Sequence, residues 1–174
     1  VNALNPTTEA GLVSVQIGGQ TFGVPVLEVQ DVIAETAINR VPLAPPEIAG
    51  SLNLRGRIVT AIDMRRRLGL PPQAEDQRAS GVSVIVEQAS GELYALMVDD
   101  VGDVLWLPPS AHESTPPTLS PAWRDLCDGL YRLETDLMLV LRTEAVLTLA
   151  SPPVGDTPDS TRRTADLATH GDRS

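Results

Sequence analysis

No lysine occurs in this chain: all thirteen basic residues are arginine. That reads as a compositional bias of the genome, and it removes the usual phosphate-loop and Schiff-base lysines from consideration. Cysteine is nearly absent. Cys127 stands alone, which excludes an intrachain disulfide and any cysteine-based zinc cluster and fits a reducing cytoplasm. Aromatics are scarce, with one Phe, two Tyr and two Trp, so the core has to be built from Val, Leu, Ile and Ala. No apolar run reaches about eighteen residues and no basic-then-apolar leader opens the chain, so neither a membrane span nor a signal peptide is expected. Catalytic signatures are missing too: no GxGxxG, no Walker A, no GxSxG, no HExxH. His112 falls in a Pro-rich loop and His170 in the C-terminal stretch, neither beside a nucleophile.

Acidic residues number 23 against 13 basic, a formal charge of −10, which repels nucleic acid and anionic membrane. The 174 residues suffice for one ordinary domain or two small ones, and 42% hydrophobic content suffices for a core.

The most informative stretch runs from Gly50 to Asp63. Leu52 and Leu54 alternate with Ser51, Asn53 and Arg55, which predicts a half-buried strand. Arg55-Gly56 reverses the chain, Gly56 supplying a positive φ, and Ile58 to Ile62 returns as an apolar strand. Asp63 stands as N-cap of a short helix over Met64-Arg65-Arg66-Arg67-Leu68, which Gly69 closes and Pro71-Pro72 keeps from resuming. Asn53-Leu54-Arg55-Gly56-Arg57 is a polar corner in a run that otherwise resembles core.

Taken in order, residues 1–11 read as a flexible N-terminus. Strands are expected at 13–17 and 20–24 about a Gly18-Gly19 turn, then a helical turn at 26–30 and a third strand at 32–38. Residues 39–49 read as an extended loop and 71–80 as a linker. In the second half, strands are expected at 82–86, 93–98, 101–107, 129–133 and 137–141. A long Pro-rich loop spans 108–121, Trp123, Leu126 and Cys127 form a helical turn that pins it, and a last helix at 143–150 is capped by Thr143. Residues 151–174 lack periodicity and read as a disordered tail.

Each half therefore shows a hairpin, a third strand, a Pro-rich crossover, a second hairpin and a short helix. The pattern predicts a mainly β domain over 12–150, two tandem five-stranded barrels sharing a core, one about 12–70 and the other about 80–150.

Several side chains invite chemistry. Asp99, Asp100 and Asp103 are spaced to converge on a hard cation, but a solvated turn and one exposed strand position account for them. Arg65, Arg66 and Arg67 could grip a phosphate; cations in the last turn of a helix account for them equally. Cys127 reads as a small buried hydrophobe. Arg55 is costly to bury without a carboxylate, and Asp31 is its candidate partner. A surface recognition role and a structural one are both open to it.

The residues Phe22-Gly23-Val24, Val29-Gln30-Asp31-Val32, Pro42, Gly50 and Asn53-Leu54-Arg55-Gly56-Arg57-Ile58 together resemble the CheW-type coupling proteins of chemotaxis. Asp63, Leu68-Gly69, Val98-Asp99-Asp100-Val101, Asp103-Val104-Leu105 and Gly129-Leu130 continue the likeness, which runs from Val13 to Leu149. It implies two SH3-like barrels, no catalytic activity, no cofactor and no metal. It implies two partners: the regulatory domain of a CheA-type histidine kinase, met through Asp31, Val32 and Arg55, and the cytoplasmic tip of a chemoreceptor, met in a groove around Val29, Gly50 and Val104. Nucleic acid and membrane insertion are not expected; a place at membrane-associated receptor clusters in the cytoplasm is. Asn53, Gly56, Asp63 and Gly69 are then turn and cap residues. Asp31 stands where the family often has Glu, and the Pro-rich crossover and the stretch after Ala150 are this chain's own. Related adaptors serve pilus motility or second-messenger pathways, and a ligand- or ion-binding barrel is the reading from another class. A free adaptor is preferred over a domain fused to a receiver or kinase.

Overall fold

The computed structural model describes residues 9–34, 37–72 and 81–148. The expectations for the N-terminal stretch before residue 9, for most of the 71–80 linker and for the tail lie outside them. Among the described residues eleven strands and three short α-helices follow one another. The first half holds β1 (Ala10–Ile17), β2 (Gln20–Pro25), β3 (Val29–Ala34), β4 (Ile48–Leu54), β5 (Arg57–Asp63) and α1 (Met64–Arg67). The second holds β6 (Val82–Glu87), β7 (Leu93–Val98), β8 (Asp100–Leu107), β9 (His112–Glu113), α2 (Pro121–Leu126), β10 (Cys127–Arg132), β11 (Leu137–Leu141) and α3 (Thr143–Leu147).

The strands form one six-stranded sheet, β8-β1-β2-β11-β10-β9, and one five-stranded sheet, β3-β6-β7-β5-β4. The division into halves at 12–70 and 80–150 does not coincide with them. The first hairpin of each half has crossed over: β1-β2 joins strands of the second half, and β6-β7 joins strands of the first. Two parallel pairings seal the exchange, β2 with β11 and β7 with β5. Replacing each strand by its counterpart in the other half turns one sheet into the other, β9 excepted. That two-residue strand arises inside the expected Pro-rich loop, where His112 and Glu113 pair with Tyr131 and Leu130.

The exchange places a common core between the sheets. Val15, Ile17, Phe22 and Val24 meet Ile62, Val84, Val86 and Leu96, with Met64, Val146 and Leu147 from the helices. Each such side chain contributes about 1.5–3 kcal/mol by leaving water. A smaller core lies on the far face of each sheet: Leu52, Val59 and Ile85 on one, Leu12, Tyr131 and Met138 on the other. The ends of the five-stranded sheet are tied together beyond β3, where Asn39 exchanges two backbone hydrogen bonds with Ser51 of β4, at 2.7 and 2.8 Å.

Other boundaries shift for local reasons. The helical turn after Pro25 is a single 3-10 turn over Val26–Glu28, and β3 begins at Val29, since Val29, Asp31 and Ile33 alternate inward with exposed Gln30 and Val32. The loop before Gly50 gives way to β4 at Ile48. Cys127 opens β10 instead of closing a helical turn. Arg142, not Thr143, occupies the cap position of α3, without a side-chain cap bond. Thr143 is the first helical residue; it is buried and its hydroxyl has no hydrogen-bond partner.

Candidate functional site

Two surfaces draw on the residues singled out by sequence. The first is the tip of the β4-β5 hairpin. Arg55 and Gly56 both adopt left-handed backbone, φ 52° and 87°, which suits the twist of a two-residue hairpin turn. Asn53 Oδ1 accepts the Gly56 N–H at 2.8 Å and closes the turn from the side. Arg55 then reaches across to β3, where its Nη2 lies 3.3 Å from Asp31 Oδ2. Asp31 Oδ1 accepts the Val32 N–H at 2.8 Å. The three residues expected at one contact are thus brought together. Arg55 remains 84% exposed, so the pair is screened by water and adds little stability. Left-handed backbone disfavours every residue but glycine and, less so, Asn and Asp. Ile58, at the start of the apolar strand expected over Ile58 to Ile62, is 70% exposed beside the tip. Its neighbour Val59 is fully buried, so alternation along β5 was the available signal.

The second surface lies where the chain crosses between the sheets over Val26–Glu28. Val29 opens edge strand β3 and packs against the shared core. Val104 sits on edge strand β8, opposite Val13, and is 45% exposed. Gly50 is the third residue expected at this contact. It is buried on β4, the other edge of the five-stranded sheet in pairing order, with φ 150°. A Cβ on Gly50 would run into the Asn39 carbonyl oxygen and lie 2.7 Å from Ile38 Cγ2. The missing side chain makes room for the chain's own backbone, where Asn39 closes the sheet on β4.

The acidic trio separates. Asp99 accepts Arg65 Nε at 2.8 Å, Arg65 Nη2 at 2.6 Å and the Gly18 N–H at 2.8 Å. Burial alone would raise its pKa; the Arg65 and Gly18 hydrogen bonds and the Arg65 charge outweigh this and hold it below the ordinary carboxylate value. Asp99 is thus no solvated turn residue but a clamp between the first hairpin and α1. Asp100 and Asp103 are exposed. Among the described residues no group of three metal-ligating side chains converges.

The arginine run is also divided. Asp63 caps α1 through the Arg66 N–H and lies 3.6 Å from the Arg66 guanidinium. Arg67 donates to the carbonyls of Ala145 and Val146 at the end of α3. Gly69, φ 70°, ends α1 by donating to the Arg66 carbonyl. Trp123 of α2 donates its indole N–H to the Leu68 carbonyl at 2.8 Å and leans on Phe22. Three short helices thereby lock the halves together. Burial pushes the Cys127 thiol up to about 12, so it stays protonated and inert at neutral pH.

The interlocked sheets carry an ionic hairpin tip and an apolar crossover on their surface. Residues 11–151 match the family model of the CheW-like domain, and the chain belongs to that family. Its members are non-enzymatic scaffolding adaptors. The chain is 30% identical over 135 residues to the probable chemotaxis protein CheW of Rhizobium etli, a match covering 78% of this chain and 85% of that protein. It is 28% identical over 147 residues to the chemotaxis protein CheW of Rhizobium meliloti, covering 83% and 93%. The fold resembles that of the scaffolding protein TtCheW from Thermoanaerobacter tengcongensis, with a TM-score of 0.70 at 23% identity over 78% of this chain and 90% of that one. No helix among the described residues is long and apolar enough to cross a membrane.

Proposed function

We propose that the chain is a chemotaxis adaptor that couples the cytoplasmic tip of a chemoreceptor to the regulatory domain of a CheA-type histidine kinase, at receptor clusters on the cytoplasmic face of the membrane. Family membership across residues 11–151 carries this reading. The kinase contact is assigned to the hairpin tip, where Arg55 and Asp31 set register and Val32 and Ile58 supply exposed apolar surface. The receptor contact is assigned to the crossover, where Val29 and Val104 flank the meeting of the two sheets. Gly50 supports that region from within by letting β4 close on Asn39. Pairwise contacts of this size are moderate in strength and become firm through the multivalency of an array.

The test is a pull-down with kinase regulatory-domain and receptor-tip fragments from the same organism, repeated with Arg55→Ala. Capture of both by the wild type, with the kinase lost and the receptor retained in the variant, is the expected result. Capture of neither refutes the adaptor reading, and unchanged kinase capture by a folded variant refutes the role of Arg55.

A further inference from the structure

We propose that the apolar ridge at the sheet-to-sheet crossover takes an amphipathic helix whose apolar stripe is flanked by basic side chains, with Trp106 as the anchor. The proposal rests on the adaptor reading and specifies the chemistry of the partner at its second surface.

Trp106 is 60% exposed on edge strand β8, two residues beyond Val104 and on the same face. Its ring is nevertheless seated. It lies over Gly11, its partner across the ladder: a Cβ there would stand 2.7 Å from Trp106 Cζ3 and 2.7 Å from Val26 Cγ1. A large aromatic already fixed against a strand has little freedom left to lose on binding, which is the usual character of an interface anchor. Leu27, next to Val26 on the crossover, is 93% exposed and extends the ridge. By contrast the other tryptophan, Trp123, is spent on the Leu68 carbonyl and Phe22.

The strands that build the ridge carry charge of one sign. Residues 9–34 and 81–123, which build β1 to β3 and β6 to β9, contain no arginine or lysine. Asp100 and Asp103 are exposed on β8 itself. Glu28 sits on the crossover with a buried carboxylate oxygen that lacks a hydrogen-bond partner. Strand addition along β8 is disfavoured: Gly102 and Asp103 bulge opposite Ser14, and Pro108-Pro109 end the edge. A helix laid across the ridge needs no regular edge, and lysine or arginine beside its apolar stripe would meet the carboxylates.

The test uses two synthetic cross-linked helical peptides with the same leucine stripe, one flanked by lysine and one by glutamate, titrated into the full chain by calorimetry. The lysine-flanked peptide should bind at least about tenfold more tightly at low salt, with the gap narrowing as salt screens the carboxylates. Trp106→Ala should weaken it about 30-fold, the scale of an aromatic hot spot. Leu27→Ser, a change at a side chain almost free of the core, should weaken it without loss of fold. Asp100→Asn with Asp103→Asn should narrow the preference and leave the Trp106 dependence intact. Equal binding of the two peptides, or an unchanged affinity in Trp106→Ala, overturns the proposal. A receptor tip captured as well by Trp106→Ala as by wild type overturns this inference and leaves the adaptor reading standing. Peptide discrimination at Trp106 with no capture of either natural partner does the reverse.

Discussion

Replacing Asp99 by Asn tests whether the clamp between the first hairpin and α1 holds the two sheets together. The carboxylate takes three short hydrogen bonds, two from Arg65 and one from the Gly18 backbone, at 2.6–2.8 Å. Side-chain exposure is 19% for Arg65 and 18% for Asp99, so water replaces the lost partner only in part. Removing one member of a buried ion pair costs about 3–5 kcal/mol, and this residual exposure moves the expectation to about 2–3 kcal/mol. Against a total stability of about 5–15 kcal/mol for a domain, that is readily measured by urea unfolding at neutral pH. The sign with pH follows from the depressed folded pKa. The contribution is fully present above the ordinary value of 3.8 and is lost as pH falls through the lower folded value. Wild type should therefore show a steep loss of stability on acidification below about pH 4, and Asp99→Asn should flatten that limb. A variant within about 0.5 kcal/mol of wild type at pH 7 would refute the clamp, because such a change is ordinary for a surface site.

Gly50→Ala should lose about 2–5 kcal/mol, combining backbone strain at φ 150° with a Cβ driven into Asn39; a shift under about 0.5 kcal/mol in denaturant unfolding would show that the Asn39–Ser51 closure yields easily. Arg55→Asn should leave thermal stability unchanged or slightly raised, since Asn tolerates left-handed backbone, while weakening kinase capture; a loss above about 1 kcal/mol would make the Asp31 pair a structural brace. Thr143→Val should gain about 1 kcal/mol by removing a buried hydroxyl without a partner, and destabilisation in the same assay would show that the hydroxyl is satisfied in solution.

What could be read in the sequence was what is local. Gly18-Gly19 and Arg55-Gly56 mark hairpins because two consecutive residues with positive φ leave few other uses for the pair. Asp63 was legible as a cap because its acceptor needs only the N–H three residues on. The pairing of the Asp31 carboxylate with Arg55 could be guessed because two polar interruptions in apolar runs invite each other. The contacts that hold the halves together left no such trace. Arg65 and Asp99 are 34 positions apart, and Arg67 is 79 from Val146. The hairpin exchange depends on parallel pairing of strands that no turn connects, so alternation along β2 or β7 is the same with or without it. Gly50 is a related case: a glycine says that something comes close, and only the fold shows that the Asn39 backbone does.

The exchanged hairpins have a further consequence. An arrangement that maps each half onto the other is what two copies of a half-length chain would build around a twofold axis, each lending its first hairpin to its mate. A true twofold pair must display every surface twice. On one chain the two copies need not match, and here the hairpin tips differ. Counting back from the residue that precedes each helix, Asp63 in one half and Arg142 in the other, Arg57 occupies the place of Asp136, Arg55 that of Glu134, and exposed Ile58 that of exposed Leu137. One hairpin tip carries two arginines and the other two carboxylates on the same backbone plan. The shared plan thus presents two unlike tips, by which two different neighbours can be told apart.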